Sequence, residues 1–450
     1  MRARIQPGGA VQGVARVPGD KSISHRWVIL AATAGGRSRL RGLPRSLDVR
    51  STARVMATLA PGGMEDLDGW EGRAAVEGPI GDRGTASLED VVEIEGSGRE
   101  ALIQPSDALF CGNSGTTMRL VAGVVAGTPL RIVLTGDGSL LRRPMERVAA
   151  PLRAMGARVD TAAGRPPITI EGGELSGVTW RSEVPSAQVK GAVLLAGLVA
   201  DGRTEYQEPV PTRDHTERAL EALGAPVGRA GGRIAVSSYH HEGFAGDVPG
   251  DVSSAAFLLA AAILCGAEVT VEGVGLNPTR CHFLEVLRWM GADIRVEVMH
   301  DVLGEPVGAL KAVGPAALQG TVVGPRELPL VIDEVPVLAM VAAHAEGESR
   351  FEGAGELRVK ESDRLAALAG GIRALGGGAV VEEDTLVVGG GGLAGGRVDP
   401  AGDHRLVMGF AVGALAARAP SQVEGVDWAD VSYPGFVAEL ARLGALLEAG

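Results

Sequence analysis

Hydrophobic and polar positions fall into one phrase that keeps returning. An apolar residue is followed by two others, then Leu or Met, then Gly, a small residue and a β-branched stretch. It reads LRAMGARV from Leu152, LEALGAPV from Leu220, LRWMGADI from Leu287, IRALGGGAV from Ile372 and LARLGALL from Leu440. A degraded copy, MATLAPGG, starts at Met56. The pattern predicts the last turn of an amphipathic helix, a glycine in the left-handed position just beyond it, and a strand. The Leu/Met positions 59, 155, 223, 290, 375 and 443 are separated by 96, 68, 67, 85 and 68 residues. Near-even spacing means true repeats, about one sixth of the chain each. Six α/β units exceed a single core, so the reading divides them three and three. The turn VPGDVSS around Pro249–Asp251, ahead of a helix near Ala255, is the boundary. The long first gap reads as a surface insertion near 61–105.

Composition narrows the class. A chain of 450 residues fits two or three domains at about 100–200 residues each. Net charge is −12, which argues against a nucleic-acid partner, since phosphate backbones need a basic face. The charge is uneven: residues 61–100 hold 11 acids against 3 arginines. The longest strongly apolar run, Ala255–Ala267, is 13 residues, short of the roughly 20 a membrane span needs. The N-terminus has no apolar stretch of a secretory signal. Cys111, Cys265 and Cys281 are widely spaced with no CxxC, which fits a reducing cytoplasm. The eight histidines show no ligand spacing, so no metal site is expected.

Candidate chemistry begins with lysine. Of 43 basic residues only Lys21, Lys190, Lys311 and Lys360 are lysines. Lysine is a compact ammonium where arginine is a planar fork, so a retained lysine points to work for a point charge. PGDKSISHR places Lys21, Ser22 and Arg26 at a helix start, where cations oppose the macrodipole unless anions compensate. GNSGTTMR (Gly112–Arg119) presents a small-residue loop at another helix start, a backbone anion site in which Gly115 permits close approach. Arg142 and Arg143 repeat the cationic theme. SAQVK carries Ser186, Gln188 and Lys190, and PTRDHTER carries Thr212, Arg213 and His215. Lys360, Glu361 and Arg364 crowd the first turn of a helix whose stripe is Leu365, Leu368, Ile372 and Leu375. Asp333 and Glu334 interrupt an apolar run, with a catalytic acid–base role or a helix cap as the two readings of Asp333. GGGGLAGG (Gly389–Gly396) contains GxGxxG, but no apolar helix follows, so no dinucleotide site is expected.

Taken in order, PGDKSISHR, GNSGTTMR, RRPM, SAQVK, IDEVP, RVKESDR and DHR closely resemble the EPSP synthase family of enolpyruvyl transferases, from about Lys21 to Pro434. The resemblance implies an α/β fold of two domains, each three βαβαββ units, with the active site in the cleft between them. The first residues return to the C-terminal domain, giving 20–249 and 1–19 plus 250–450. The implied reaction moves the enolpyruvyl group of phosphoenolpyruvate to the 5-hydroxyl of shikimate 3-phosphate, a step toward chorismate and the aromatic amino acids. No cofactor or metal is implied, and a monomer is expected.

By resemblance, Ser22 and Arg26 hold the shikimate carboxylate; Ser186, Ala187, Thr212 and Arg213 surround its phosphate. Lys360 contacts its hydroxyls, and Gln188 lies between the substrates. Lys21, Gly115 and Arg143 face the phosphate of phosphoenolpyruvate and Arg364 with Arg405 its carboxylate; Asn113, Thr116 and His404 also belong to the phosphoenolpyruvate site, and Lys21 and Asp333 also to that of shikimate 3-phosphate. Asp333 takes the hydroxyl proton, and Glu361 or Lys21 protonates the methylene carbon. Ala187 replaces a serine common in the family, Thr212 a serine, Glu356 an asparagine of some members, and Val431 a lysine. Gly115 implies sensitivity to glyphosate. The alternative acceptor, UDP-N-acetylglucosamine, would need a Lys-Asn pair where Lys21-Ser22 stands.

Overall fold

The computed structural model describes residues 1–64, 90–314 and 317–450. Five of the six repeated phrases end helices as expected. Glu146–Ala154, His215–Ala222, His282–Trp289, Arg364–Ala374 and Phe436–Arg442 each stop one residue before their Leu or Met. Gly156, Gly224, Gly291, Gly376 and Gly444 follow at φ between +76° and +114°. The degraded copy ends differently: after Leu47–Leu59 the chain leaves through Ala60 in extended backbone. Alanine pays a Cβ clash in the left-handed region that glycine avoids.

Six small sheets share one plan. In the first, Leu109–Phe110 pairs parallel with Arg131–Thr135, which pairs antiparallel with Arg165–Glu171, itself antiparallel to Arg158–Ala162. The same order recurs around Thr204–Gln207, Glu268–Gly275 and Glu348–Phe351. A fifth sheet takes its third strand from the start of the chain. There Arg2–Gln6 lies between Ser421–Glu424 and Leu446–Ala449. The sixth has three strands, with Ala245–Asp247 parallel to Gly35–Arg41 and Val91–Ser97 antiparallel to it. In four sheets a helical crossover joins the parallel pair, whereas Gly13–Arg16 with Glu268–Gly275 and Gly35–Arg41 with Ala245–Asp247 close only after the chain has run through all or most of the first core.

That last strand corrects the expected insertion. Val92 and Ile94 are buried, so 91–97 is sheet rather than surface. The remaining acidic stretch, residues 65–89, lies outside the described residues.

Two hydrophobic cores result. One draws its side chains from residues 23–248, the other from 3–17 and 252–445. The Val252–Leu264 helix is buried from Val252 to Ile263, the mark of a helix central to its core. It starts three residues earlier than expected because Asp251 caps it, accepting from Ser253 N at 2.9 Å. The chain crosses between the cores twice, and the crossings are tied together. Asp20 N donates to Pro249 O at 2.6 Å, and Asp251 N to Pro18 O at 2.8 Å.

Candidate active site

Helix starts from both cores converge on the cleft between them. Lys21–Ala32 is capped by Asp20, Gly115–Ala126 by Ser114 and Ala187–Gly197 by Ser186. Facing them, Arg364–Ala374 is capped by Asp363 and His404–Ala414 by Asp403. Each start aims unpaired N–H groups and a positive dipole end at the gap. The cavity of about 370 Å³ is lined by Lys21, Ser22, Gly115, Thr116, Arg143, Ser186, Ala187, Gln188, Thr212, Arg213, Asp333, Lys360, Glu361, His404 and Arg405. Residues distant in sequence thus meet at one place. Asn113 lines an adjoining cavity of about 660 Å³, together with Glu361, His404 and Val431.

Two expected contacts are set back. Arg26 is 3% exposed and Arg364 1%, and both lie behind the lining. Arg26 spends its Nε on the Thr216 hydroxyl at 2.7 Å and its Nη1 on Ser22 O at 2.8 Å. Arg364 bonds Asp403 through Nε at 2.8 Å and Glu361 through Nη2 at 2.6 Å. Its Nη1 has no hydrogen-bond partner and points toward Asp333 Oδ1 at 3.8 Å. A further correction concerns the fourth motif. Lys360 and Glu361 precede the Arg364–Ala374 helix in a loop rather than crowding its first turn. Asp333 is not a cap either, since Glu334 occupies the cap position of Val335–Ala343.

Asp333 sits among four cations. Arg213 reaches it from the other core, Arg405 Nη2 lies at 3.8 Å, and Lys360 Nζ at 4.0 Å. Arg364 completes the set. Burial pushes the Asp333 carboxyl up, but these cations outweigh it and hold it well below the usual carboxylate range. Glu361 behaves alike: burial is overcome by Arg364 and Arg143, with Lys21 adding to them. Burial, with Lys21 and Arg405 nearby, keeps His404 far below the ordinary imidazole value, hence neutral. Its Nδ1 meets Ser432 Oγ at 2.5 Å. Arg143 Nη2 lies 3.5 Å from Glu361 Oε1, a contact across the cleft, and also donates to Asn113 Oδ1.

The sequence reading missed Arg119, Asp48 and Arg147. Arg119 closes the GNSGTTMR motif one helical turn from Gly115, which was the available signal. It donates to Gln188 Oε1, while Gln188 Nε2 donates to Thr116 Oγ1 at 2.7 Å. A Cβ on Gly115 would stand 2.8 Å from Arg119 Nη1 and 3.2 Å from Arg143 Nη1. Asp48 takes the Lys21 ammonium at 2.8 Å. Arg147 reaches across to Glu356 at 3.4 Å. The lining holds eight cations (Lys21, Arg119, Arg143, Arg147, Arg213, Arg280, Lys360, Arg405) against five carboxylates (Asp48, Asp251, Asp333, Glu356, Glu361). That is an excess of three positive charges in a chain of net charge −12. The arrangement suits a small substrate set carrying several anionic groups, with one carboxylate held at its centre.

The chain matches the family profile described as EPSP synthase (3-phosphoshikimate 1-carboxyvinyltransferase) over residues 5–75 and 83–440. It is 48% identical over 450 residues to the 3-phosphoshikimate 1-carboxyvinyltransferase of Halorhodospira halophila, covering 99% of this chain and 96% of that one. The Thermus thermophilus protein of the same name is 48% identical, with coverage of 98% and 99%. Among solved structures, an EPSP synthase from Acinetobacter baumannii superposes with TM-score 0.83 at 39% identity, covering 99% of both chains. The enolpyruvyl transferase NikO from Streptomyces tendae has TM-score 0.76 at 18% identity, over 99% of this chain and 98% of that one, which speaks to the fold alone. Profile, relatives and architecture agree with the cleft chemistry: the chain belongs to the EPSP synthase family.

Proposed function

We propose that this protein transfers the enolpyruvyl group of phosphoenolpyruvate to the 5-hydroxyl of shikimate 3-phosphate and releases phosphate. The observation that carries the reading is the cleft's surplus of three cations around Asp333. Both substrates bear a carboxylate and a phosphate, so four anionic groups answer that surplus. Ser22, Arg26, Ser186, Ala187, Thr212, Arg213 and Lys360 take the acceptor. Lys21, Asn113, Gly115, Thr116, Arg143, Arg364, His404 and Arg405 take the donor, and Gln188 lies between. Arg119 belongs with the donor group, since it flanks Gly115 and holds Gln188.

Asp333 accepts the 5-hydroxyl proton as the hydroxyl oxygen bonds to C2 of phosphoenolpyruvate, while Glu361 or Lys21 delivers a proton to the methylene carbon. The tetrahedral intermediate then loses phosphate by breaking the C2–O bond, and the new methyl group returns a proton to restore the double bond. Acid and base exchange roles between the two halves. Fixed cations stabilise the charge on the departing phosphate without reorganising. In the unliganded cleft four cations hold Asp333 ionised and weakly basic. Substrate anions draw on those same cations and so raise its basicity when a proton must be taken.

The two cores are read as domains of 20–249 and 1–19 plus 250–450, acting as a cytoplasmic monomer. No helix among the described residues is long and apolar enough to cross a membrane. Phosphate release is measured with phosphoenolpyruvate plus either shikimate 3-phosphate or UDP-N-acetylglucosamine. Release only with shikimate 3-phosphate is expected; release only with the sugar nucleotide would overturn the acceptor.

A further inference from the structure

Lys190 is one of four lysines in the chain, and it does not line the cleft. Its side chain is 1% exposed, and three acceptors converge on its Nζ. Glu217 Oε1 lies at 2.8 Å, Glu208 at 3.2 Å and the Thr212 carbonyl at 3.3 Å. An ammonium has three protons to give and can meet three converging oxygens; a guanidinium is planar and cannot. Glu208 in turn accepts from Thr212 N at 3.1 Å and from Thr212 Oγ1 at 2.6 Å. Every polar backbone and side-chain group of Thr212 is therefore tied, directly or through Glu208, to one buried ammonium.

Lys190 is also anchored at its other end. It belongs to the Ala187–Gly197 helix, and its N–H donates to Ser186 O at 3.0 Å. Ser186 Oγ caps that helix by accepting from Val189 N at 3.3 Å. The next residue after Thr212 is Arg213, which reaches Asp333 in the other core. One ammonium thus joins the Ser186 helix start to the Thr212–Arg213 segment. It also offsets part of the charge of Glu208 and Glu217, two carboxylates behind the place where the acceptor's phosphate is read to bind. Burial pushes the Glu217 carboxyl up, against the pull of Lys190, and its Oε2 has no partner.

We propose that Lys190 is a positioning residue for the acceptor half of the site: it fixes Thr212 and Arg213 against the Ser186 helix and weakens the repulsion between the carboxylates behind them and the acceptor phosphate. This rests on the assignment of Ser186, Thr212 and Arg213 to that phosphate. Preorganised donors bind a phosphate without ordering a loop at that moment. The donor half is tied elsewhere, through Gln188, Thr116 and Arg119, so loss of Lys190 falls on one substrate.

The test uses the full chain with Lys190→Met, Lys190→Arg and Glu208→Gln. KM is measured for each substrate, and the dissociation constant of shikimate 3-phosphate by calorimetry. Lys190→Met is expected to weaken shikimate 3-phosphate at least about tenfold, on the scale of a lost charge-assisted contact, with KM for phosphoenolpyruvate changing less than about twofold. Lys190→Arg is expected not to restore it. Glu208→Gln keeps the Glu217 pair and reads the same split at smaller size, so it decides the matter if Lys190→Met does not fold. Equal change in both KM values, full rescue by arginine, or lowered thermal stability with unchanged constants would overturn the proposal. Wild-type turnover is the control: if shikimate 3-phosphate supports none, the acceptor assignment falls too, whereas turnover without the split removes the Lys190 role alone.

Discussion

Of the arginine–carboxylate clusters among the described residues, the one at the crossings between the cores and the one in the cleft differ in their accounts of charge. At the crossings Arg280 is 2% exposed, with both terminal nitrogens paired and its Nε without a partner. Its Nη1 bonds Asp20 at 3.0 Å, and its Nη2 bonds Asp251 at 3.2 Å and Ser253 Oγ at 2.7 Å. Those two aspartates cap the first helix beyond each crossing, so one guanidinium holds both passages of the chain. Burial would lower the Arg280 pKa, but Asp20 and Asp251 raise it above the ordinary value. In the cleft Arg119 goes the other way. Burial and the neighbouring Arg147 and Arg143 push it down to about 9. Arginine is thus matched by carboxylates where it holds the chain and crowded by cations where a ligand is due. Both arginines are buried, yet their shifts run in opposite directions because carboxylates surround one and cations the other.

The largest effect is expected from removing the carboxylate at the cleft's centre. Asp333→Asn keeps the shape and abolishes the base, so kcat should fall by about 10²–10⁴, the range for a general base. Binding of shikimate 3-phosphate should persist, because asparagine leaves the surrounding cations unpaired. Phosphate-release kinetics beside calorimetric binding check this; parallel loss of both would make Asp333 a structural residue. Next in size is the arginine at the crossings. Arg280→Met strands Asp20 and Asp251 as buried like charges, and breaking a buried pair costs about 3–5 kcal/mol. Denaturant unfolding measures it. The cleft counterpart, Arg119→Met, relieves the crowding by Arg143 and Arg147 instead, so its unfolding midpoint should hold or rise while KM for phosphoenolpyruvate increases. A variant pair with equal losses of stability would break the contrast.

That contrast also marks what the sequence could disclose. The repeat phrases made five helix ends and their glycines legible because left-handed backbone and periodic leucines are local properties. Motif order made the cleft legible, down to Asp333 and Glu361. Charge partnerships were not, because they join residues far apart in the chain: Arg280 to Asp20, Lys190 to Glu208, Lys21 to Asp48. Retained lysine proved a mixed signal. Lys21 and Lys360 face the cleft, Lys190 supports it from behind, and Lys311 makes a surface pair with Glu268 at 2.7 Å. Arg26 and Arg364 matched their motifs, yet their depth behind the lining was a matter of packing that spacing does not encode.

Gly115 tests the crowding at the donor end. Gly115→Ala places a methyl 2.8 Å from Arg119 Nη1, close enough that the guanidinium must move. KM for phosphoenolpyruvate should rise about tenfold, corresponding to about 1.4 kcal/mol, with shikimate 3-phosphate binding unchanged. Glyphosate is expected to inhibit the wild type and to lose potency in this variant. Unaltered constants for donor and inhibitor would show that the two arginines do not form the cradle.

The smallest effect is the most direct reading of unpaired charge. Four cations depress the Asp333 carboxyl in the free cleft, so the acid limb of kcat/KM, which reports free enzyme, should lie below the usual carboxylate range. A depressed carboxyl is ionised above its folded pKa and loses its role as pH falls through that value. Once both substrates are bound, their phosphates and carboxylates share Arg213, Arg405, Lys360 and Arg364, and the depression weakens. The acid limb of kcat should therefore stand at higher pH than that of kcat/KM, by about one unit if one cation's worth of attraction, about 1.4 kcal/mol, is withdrawn. Profiles carried from about pH 8 down through and below the usual carboxylate range measure both limbs. Coincident limbs would mean that the cleft's surplus charge is not redistributed on binding, and that Asp333 works as a base at the strength the empty site gives it.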